Sequence, residues 1–354
     1  MDAFIYNALP SRVIFGRDTV QQLSAEIEAL GGKRALVLTT PFQKDLGEEI
    51  AALLGDVAVG VYDNATMHTP VEVTEAAMAV QQELAADILV TVGGGSTIGL
   101  AKAIALRTDL PQIAIPTTYA GSEMTPIIGQ TEKGVKTTQK TLKVLPETVI
   151  YDVNLTLTLP AKMSGSSGLN AIAHAVEALY AKDRNPIVSM MAEEGTRALA
   201  GALPVLMDDE SNVEARSDAL YGAWLCGAVL GMVGMSLHHK LCHTLGGSFD
   251  LPHAETHSIV LPHALAYNAP ATPDAVAALS RALSHDNPAQ ALFEISRQVD
   301  VPVGLKALGM PEDGIDKATE IAMSNPYWNP RPLERDLIRD VISNAWAGDA
   351  PVLL

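Results

Sequence analysis

The order in which strand-like and helix-like runs follow one another constrains this chain more than any other feature. Short apolar runs at residues 35–39 (ALVLT), 57–62, 88–92 (ILVTV) and 112–116 (QIAIP) alternate with longer runs of helical spacing at 43–54, 70–85 and from Ser96 to about Arg107. Parallel strands need crossover helices, and a sheet covered on both faces reads as continuous apolar runs. The expectation is therefore an α/β domain built on a parallel, Rossmann-like sheet over residues 1–160. Ahead of it, residues 3–7 and 12–15 flank Pro10-Ser11 and are expected to form an edge hairpin. Past about residue 160 the strand pattern ends. Leu169, Ile172, Ala173, Val176, Leu179 and Tyr180 share one helical face, with Asn170, His174 and Glu177 beside it. Residues 190–206, 215–245 and 273–283 are also helical in pattern. An all-helical second domain is expected over 161–354.

Composition excludes several classes. Lys plus Arg number 24 against 41 Asp plus Glu, a net charge of −17 that repels phosphate backbones, so nucleic acid is not an expected partner. Hydrophobic residues at 48% allow a substantial core. Cys226 and Cys242 are the only cysteines, which excludes a disulfide scaffold and fits a reducing compartment. The N-terminus shows no basic region followed by an apolar stretch, and a cytoplasmic location is expected. Residues 219–237 are uncharged and near bilayer length, but four glycines and the absence of a basic flank point to a buried helix and no membrane.

Three groups of residues could carry chemistry. Gly93-Gly94-Gly95-Ser96-Thr97 follows a strand and opens a helix, where glycines admit a phosphate and the helix N-terminus offers N–H groups. It is not G-x-G-x-x-G, because position 98 is isoleucine. Thr117, Thr118 and Ser122 follow the next strand and would line the same sheet edge. Six of the nine histidines lie between 238 and 263, and His239 and His243 share a face of a helix expected to stop at Gly246-Gly247, with His253 in the loop beyond. Imidazoles on adjacent helices are a familiar metal arrangement. The stretch 131–143 carries Lys133, Lys136, Lys140 and Lys143 against one acid, a local positive patch or simply a solvated loop.

The segments GGGSTIGLAKAIA (93–105), PTTYAGSEMT (116–125), LPETVIYD (145–152), GLNAIAHAVEALYA (168–181), HHKLCHTLGGSFDLPHAETHSIVLPH (238–263) and NPYWNPRPL (325–333) give this chain its family likeness. Across essentially its whole length it resembles the iron-containing alcohol dehydrogenase superfamily. The resemblance implies a dehydroquinate synthase-like architecture, with a nucleotide-binding α/β domain, a helical catalytic domain and a nicotinamide cofactor in the cleft between them. It places the cofactor pyrophosphate on Gly93, Gly94, Gly95, Ser96 and Thr97, with Thr117, Thr118 and Ser122 as further contacts. The superfamily's metal ligands, one aspartate and three histidines, fall on Asn170, His174, His239 and His253, and His243 matches a further active-site histidine.

Asn170 departs from that pattern. Its neutral carbonyl oxygen replaces a carboxylate, so no metal requirement is expected, and the four positions are read as a vestigial set. The branch with asparagine here reduces a carbon–carbon double bond conjugated to a ketone in a dicarboxylate. His243 is expected to deliver the proton and His253 to bind the ketone oxygen, with His239 and His174 beside them. Lys136, Lys140, Asn170 and Arg331 are candidates for holding the dianion. Thr40, where NAD-preferring members tend to carry an acid, leaves both NADH and NADPH open. The resemblance also implies a homodimer. The competing readings are a metal-dependent alcohol dehydrogenase, a lyase of the dehydroquinate synthase kind, which needs the full metal set, and a non-catalytic nucleotide-binding protein.

Overall fold

The computed structural model describes residues 3–353, apart from the side chains of Val135 and Lys136. The chain divides into two compact units, residues 8–159, and residues 160–353 together with 3–7.

In the first unit the chain runs through β1 (Arg12–Gly16), α1 (Leu23–Ala29), β2 (Ala35–Leu38), α2 (Lys44–Leu54), β3 (Ala58–Tyr62), α3 (Val71–Glu83), β4 (Ile88–Gly93), α4 (Gly95–Thr108), β5 (Gln112–Pro116), β6 (Ile127–Glu132), β7 (Val135–Lys140) and β8 (Thr148–Asp152). Six strands form one parallel sheet in the order β1-β8-β5-β4-β2-β3. Side chains alternate faces along each strand. Ala35 and Val37 of β2 join a core with Leu23, Ile27, Ile50 and Leu54 of α1 and α2. Leu36 and Leu38 join the opposite core with Ala77, Leu100, Ala101 and Ile104 of α3 and α4. Both faces are thus covered, which is why the strands read as unbroken apolar runs. Burying one such leucine or isoleucine is worth about 1.5–3 kcal/mol. From β2 the chain goes outward to β3 and returns on the other side as β4, so the topological switch lies between β2 and β4. Ligands of open α/β sheets bind at such a point.

Two expectations for this unit are corrected. No edge hairpin forms: β1 pairs in parallel with β8, from Arg12 opposite Thr148 to Gly16 opposite Asp152, and residues 3–7 group with the helical unit. The buried Glu26 carboxylate ties β1 to β8, accepting from Arg12 Nε at 3.0 Å and Thr148 Oγ1 at 3.2 Å. The lysine-rich stretch is mostly strand rather than loop, since β6 and β7 form an antiparallel hairpin turning at Lys133-Gly134.

The second unit carries α5 (Ala161–Tyr180), α6 (Pro186–Asp208), α7 (Val213–Met232), α8 (Leu237–Phe249), α9 (His253–Asn268), α10 (Pro273–Leu283), α11 (Pro288–Gln298), α12 (Gly314–Ser324) and α13 (Arg335–Ala347). Helix α5 is buried on all sides, polar residues included, rather than along one stripe. The run expected at 215–245 breaks after Met232, and α7 and α8 meet at 94°. The break has a cause in Glu177 of α5, whose carboxylate accepts the N–H groups of Ser236 and His238, both at 2.7 Å. It thereby satisfies donors that the start of α8 leaves without partners. The uncharged stretch 219–237 spans this break, and among the described residues no single helix is long and apolar enough to cross a membrane. Gly222 serves close packing instead: a Cβ there would lie 2.8 Å from the Gly195 carbonyl oxygen of α6. Gly246-Gly247 does not stop α8, which continues to Phe249 and ends at Asp250 with φ 52°. His253 consequently opens α9, one residue past Pro252, and is not in a loop.

Candidate active site

The first unit offers an anion cradle. β4 ends at Gly93, whose φ of +144° suits glycine, and a Cβ there would lie 2.5 Å from Thr97 Oγ1 and 2.9 Å from Gln43 Oε1. A Cβ on Gly94 would meet Thr118 at 3.0 Å. Gly95 is exposed, with only Ala120 near it, and the N–H groups of Gly95 and Ser96 precede the first intrahelical acceptor of α4. Thr97 Oγ1 is buried and lacks a hydrogen-bond partner. Thr117 N–H donates to the Gly93 carbonyl at 3.0 Å, and Gln43 Nε2 donates to Thr117 Oγ1 at 3.0 Å. Gln43 thus links the turn after β2, which includes Thr40, to the turn after β5. Behind Ser122, fully buried Lys102 donates to the carbonyls of Ser122, Thr125 and Ile127 and to Thr125 Oγ1. Burial pushes the Lys102 pKa down to about 7, and the charge of buried Glu123 opposes that shift. Open backbone, unpaired N–H groups and a helix N-terminus at the sheet's switch point fit a pyrophosphate.

The second unit gathers its histidines from three helices. Glu177 of α5, fully buried, accepts His239 Nδ1–H at 2.8 Å in addition to the two backbone donors of α8. Burial raises its carboxyl pKa, while the imidazole His238 and the backbone donors pull the other way. His239 Nε2 lies 3.1 Å from His174 Nδ1. With its Nδ1–H on the carboxylate, His239 accepts at Nε2 from His174, and Glu177, His239 and His174 form a continuous chain. His238 Nε2 lies 2.9 Å from the His257 carbonyl oxygen and donates to it, which leaves the lone pair on Nδ1. Burial lowers the pKa of His238 to about 4 and holds those of His239 and His257 well below the ordinary value. Both ring nitrogens of His257, and Asn170 Oδ1, are buried and lack hydrogen-bond partners. His243 is exposed, with Nδ1 3.0 Å from Tyr327 Oη, and the Lys240 ammonium lies 5.8 Å from the Tyr327 ring centre. His253, also exposed, has its ring centre 4.1 Å from that of His257.

The structure therefore brings Asn170, His174, His239, His243 and His253 onto three helices of one unit, and the glycine, threonine and serine candidates onto one end of the sheet. Arg331 donates to the Tyr267 carbonyl at 2.8 Å and stacks over the Tyr267 ring at 4.4 Å, clasping 325–333 to α9. Lys140 is exposed on β7, and the Lys136 side chain lies outside the described residues. Sequence reasoning missed Gln43 and Tyr327, whose partners are 74 and 84 residues away. It placed Glu177 beside the apolar stripe without a role. Its signal was an acid three residues from His174 in the stretch 171–180, which is otherwise mostly apolar.

Residues 10–153 match the family model described as iron-containing alcohol dehydrogenase, and residues 164–346 match the C-terminal model of the same family. The chain belongs to the iron-containing alcohol dehydrogenase family. Within that family it is 56% identical over 349 residues to a maleylacetate reductase of Sphingobium indicum, covering 99% of each chain. The crystal structure of maleylacetate reductase from Agrobacterium tumefaciens superposes with a TM-score of 0.96 at 55% identity, covering 99% of this chain and 100% of that one. A 1,3-propanediol oxidoreductase structure gives 0.91 at 25% identity, with 97% and 100% covered. The iron implied by the family's name is poorly served by the residues here. Asn170 supplies an unpartnered neutral oxygen where the resemblance calls for a carboxylate, and His174 and His239 bond to each other. That set lacks the carboxylate oxygen that completes the family's four-ligand pattern.

Proposed function

We propose that this protein reduces the conjugated carbon–carbon double bond of maleylacetate, and of substituted maleylacetates, to give 3-oxoadipate or its substituted form in the breakdown of aromatic compounds. The observation that carries this reading is full-length identity of 52–56% to relatives named maleylacetate reductase. The Gly93–Thr97 cradle would hold the pyrophosphate of a reduced nicotinamide cofactor, which would supply the hydride. The remaining electrons of the double bond pass into an enolate, which takes up one proton. His243, exposed and braced by Tyr327, gives that proton to carbon. His253 binds the ketone oxygen as negative charge develops there. The Glu177–His239–His174 chain fixes two imidazoles behind them, and the Asn170 amide offers a polar contact to the substrate. No metal is needed to hold an enolate that imidazole donors stabilise. Thr40 neither pairs strongly with a ribose hydroxyl nor repels a 2′-phosphate, so both NADH and NADPH serve. The enzyme acts as a cytoplasmic homodimer.

The test is loss of NADH or NADPH absorbance with freshly prepared maleylacetate, with and without chelator. Oxidation of both cofactors is expected, undiminished by chelator, with a preference below about a hundredfold, some 2.7 kcal/mol. Simple alcohol oxidation alone would overturn the assignment. Activity abolished by chelation would turn it to a metal-dependent alcohol dehydrogenase.

A further inference from the structure

Three buried imidazoles stand in a near-equilateral triangle. Ring centres lie 5.2 Å apart for His238 and His239, 4.9 Å for His238 and His257, and 5.1 Å for His239 and His257, with ring planes 79–82° to one another. One ring nitrogen from each lies within 4.8 Å of those of the other two. A tetrahedral zinc ion held by three imidazoles at about 2.0–2.1 Å spaces their ring centres by about 5 Å.

The outer hydrogen bonds also match. A metal-bound histidine usually donates its other ring N–H to a carboxylate or a backbone carbonyl. His239 gives Nδ1–H to Glu177, and His238 gives Nε2–H to the His257 carbonyl oxygen, so the lone pairs stand on His239 Nε2, 3.1 Å from His174 Nδ1, and on His238 Nδ1, 3.5 Å from His239 Nδ1. His257, 1% exposed, has no hydrogen bond at either ring nitrogen, an unusual cost for a buried polar group that a ligand would remove.

We propose that His238, His239 and His257 form a site for one borderline-soft dication of the zinc class, distinct from the family's set, with which it shares only His239. Three neutral imidazoles suit zinc without the carboxylate that Asn170 lacks. The ion takes His239 Nε2 away from His174 and leaves the fourth coordination position to water. The site shares His239 with the chain used in the reductase reading, and the two are separated experimentally because zinc binding can be measured without turnover.

The experiment titrates chelator-stripped full-length protein with zinc and, in parallel, with cobalt(II). One equivalent of zinc is expected, with a rise in melting temperature and an X-ray absorption shell of nitrogen and oxygen only. Cobalt(II) should give the strong visible bands of tetrahedral coordination. His257→Asn and His238→Asn should each weaken zinc at least about tenfold, while Asn170→Ala changes it by less than about threefold. If a variant fails to fold, the wild-type melting shift and metal spectrum still decide. No zinc-dependent shift, a sulfur-containing shell, or a loss in Asn170→Ala with none in His257→Asn would overturn the proposal.

Discussion

His239 and His243 are one helical turn apart on α8, yet their surroundings assign them different work. His239 is locked between a carboxylate and another imidazole, while His243 is exposed and touches Tyr327. Removing the proton donor should cost the usual range for general acid catalysis, so His243→Ala is expected to lower kcat by about 10²–10⁴. Cofactor binding, followed by fluorescence, should stay nearly unchanged, and the pH profile should flatten. A near-normal kcat with an unaltered profile would pass the role to His253. A second titration reports on the core. Burial, with Arg297 nearby, lowers the His263 pKa from 6.5 to about 4. The unfolded chain takes up this proton at higher pH than the folded one. The stability tied to a neutral His263 is therefore complete above pH 6.5 and is lost as pH falls toward 4, by about 3 kcal/mol. Urea unfolding of wild type and His263→Gln across that window should show a shallower acid slope in the variant. Equal slopes would acquit this residue.

At the scale of elements, the strands β2 to β5 and the helices between them were legible because each carries its own period and its own start and stop residues. What escaped had long-range causes. β1 was misjudged because its partner lies at Thr148–Asp152, and no local pattern announces pairing across that separation. The break between α7 and α8 was invisible because the group that stabilises it, Glu177, belongs to another helix. The same holds for the site. Its histidines and glycines were readable as clusters, whereas Gln43 and Tyr327 acquire meaning only through partners the fold supplies. The turn between β4 and α4 is the most exacting element. Gly93→Ala would hold alanine at φ +144° and press its Cβ on Thr97, strain of about 1–3 kcal/mol. The variant should bind NADH at least about tenfold more weakly in a fluorescence titration while keeping native far-ultraviolet circular dichroism. Native affinity would show that the cradle does not hold the cofactor.

At the scale of the whole molecule, Phe4, Ile5 and Tyr6 stand exposed in a segment without regular structure, at 46%, 80% and 40%. Consecutive exposed apolar side chains of this size call for a covering surface, and the proposed homodimer is expected to bury them. Light scattering should give twice the 37.4 kDa chain mass, and deletion of residues 3–7 should shift the species toward monomer. A wild-type monomer at micromolar concentration would reject this. The pairing of β1 with β8 also sets a schedule for synthesis. Among the described residues β1 has no sheet neighbour other than β8, so it leaves the ribosome early and waits while β2 to β7 are made. At elongation rates of about 5–20 residues per second that wait is on the order of ten seconds. During it, Arg12–Gly16 is an unpaired strand edge, open to a chaperone, a protease or the same segment of a neighbouring nascent chain.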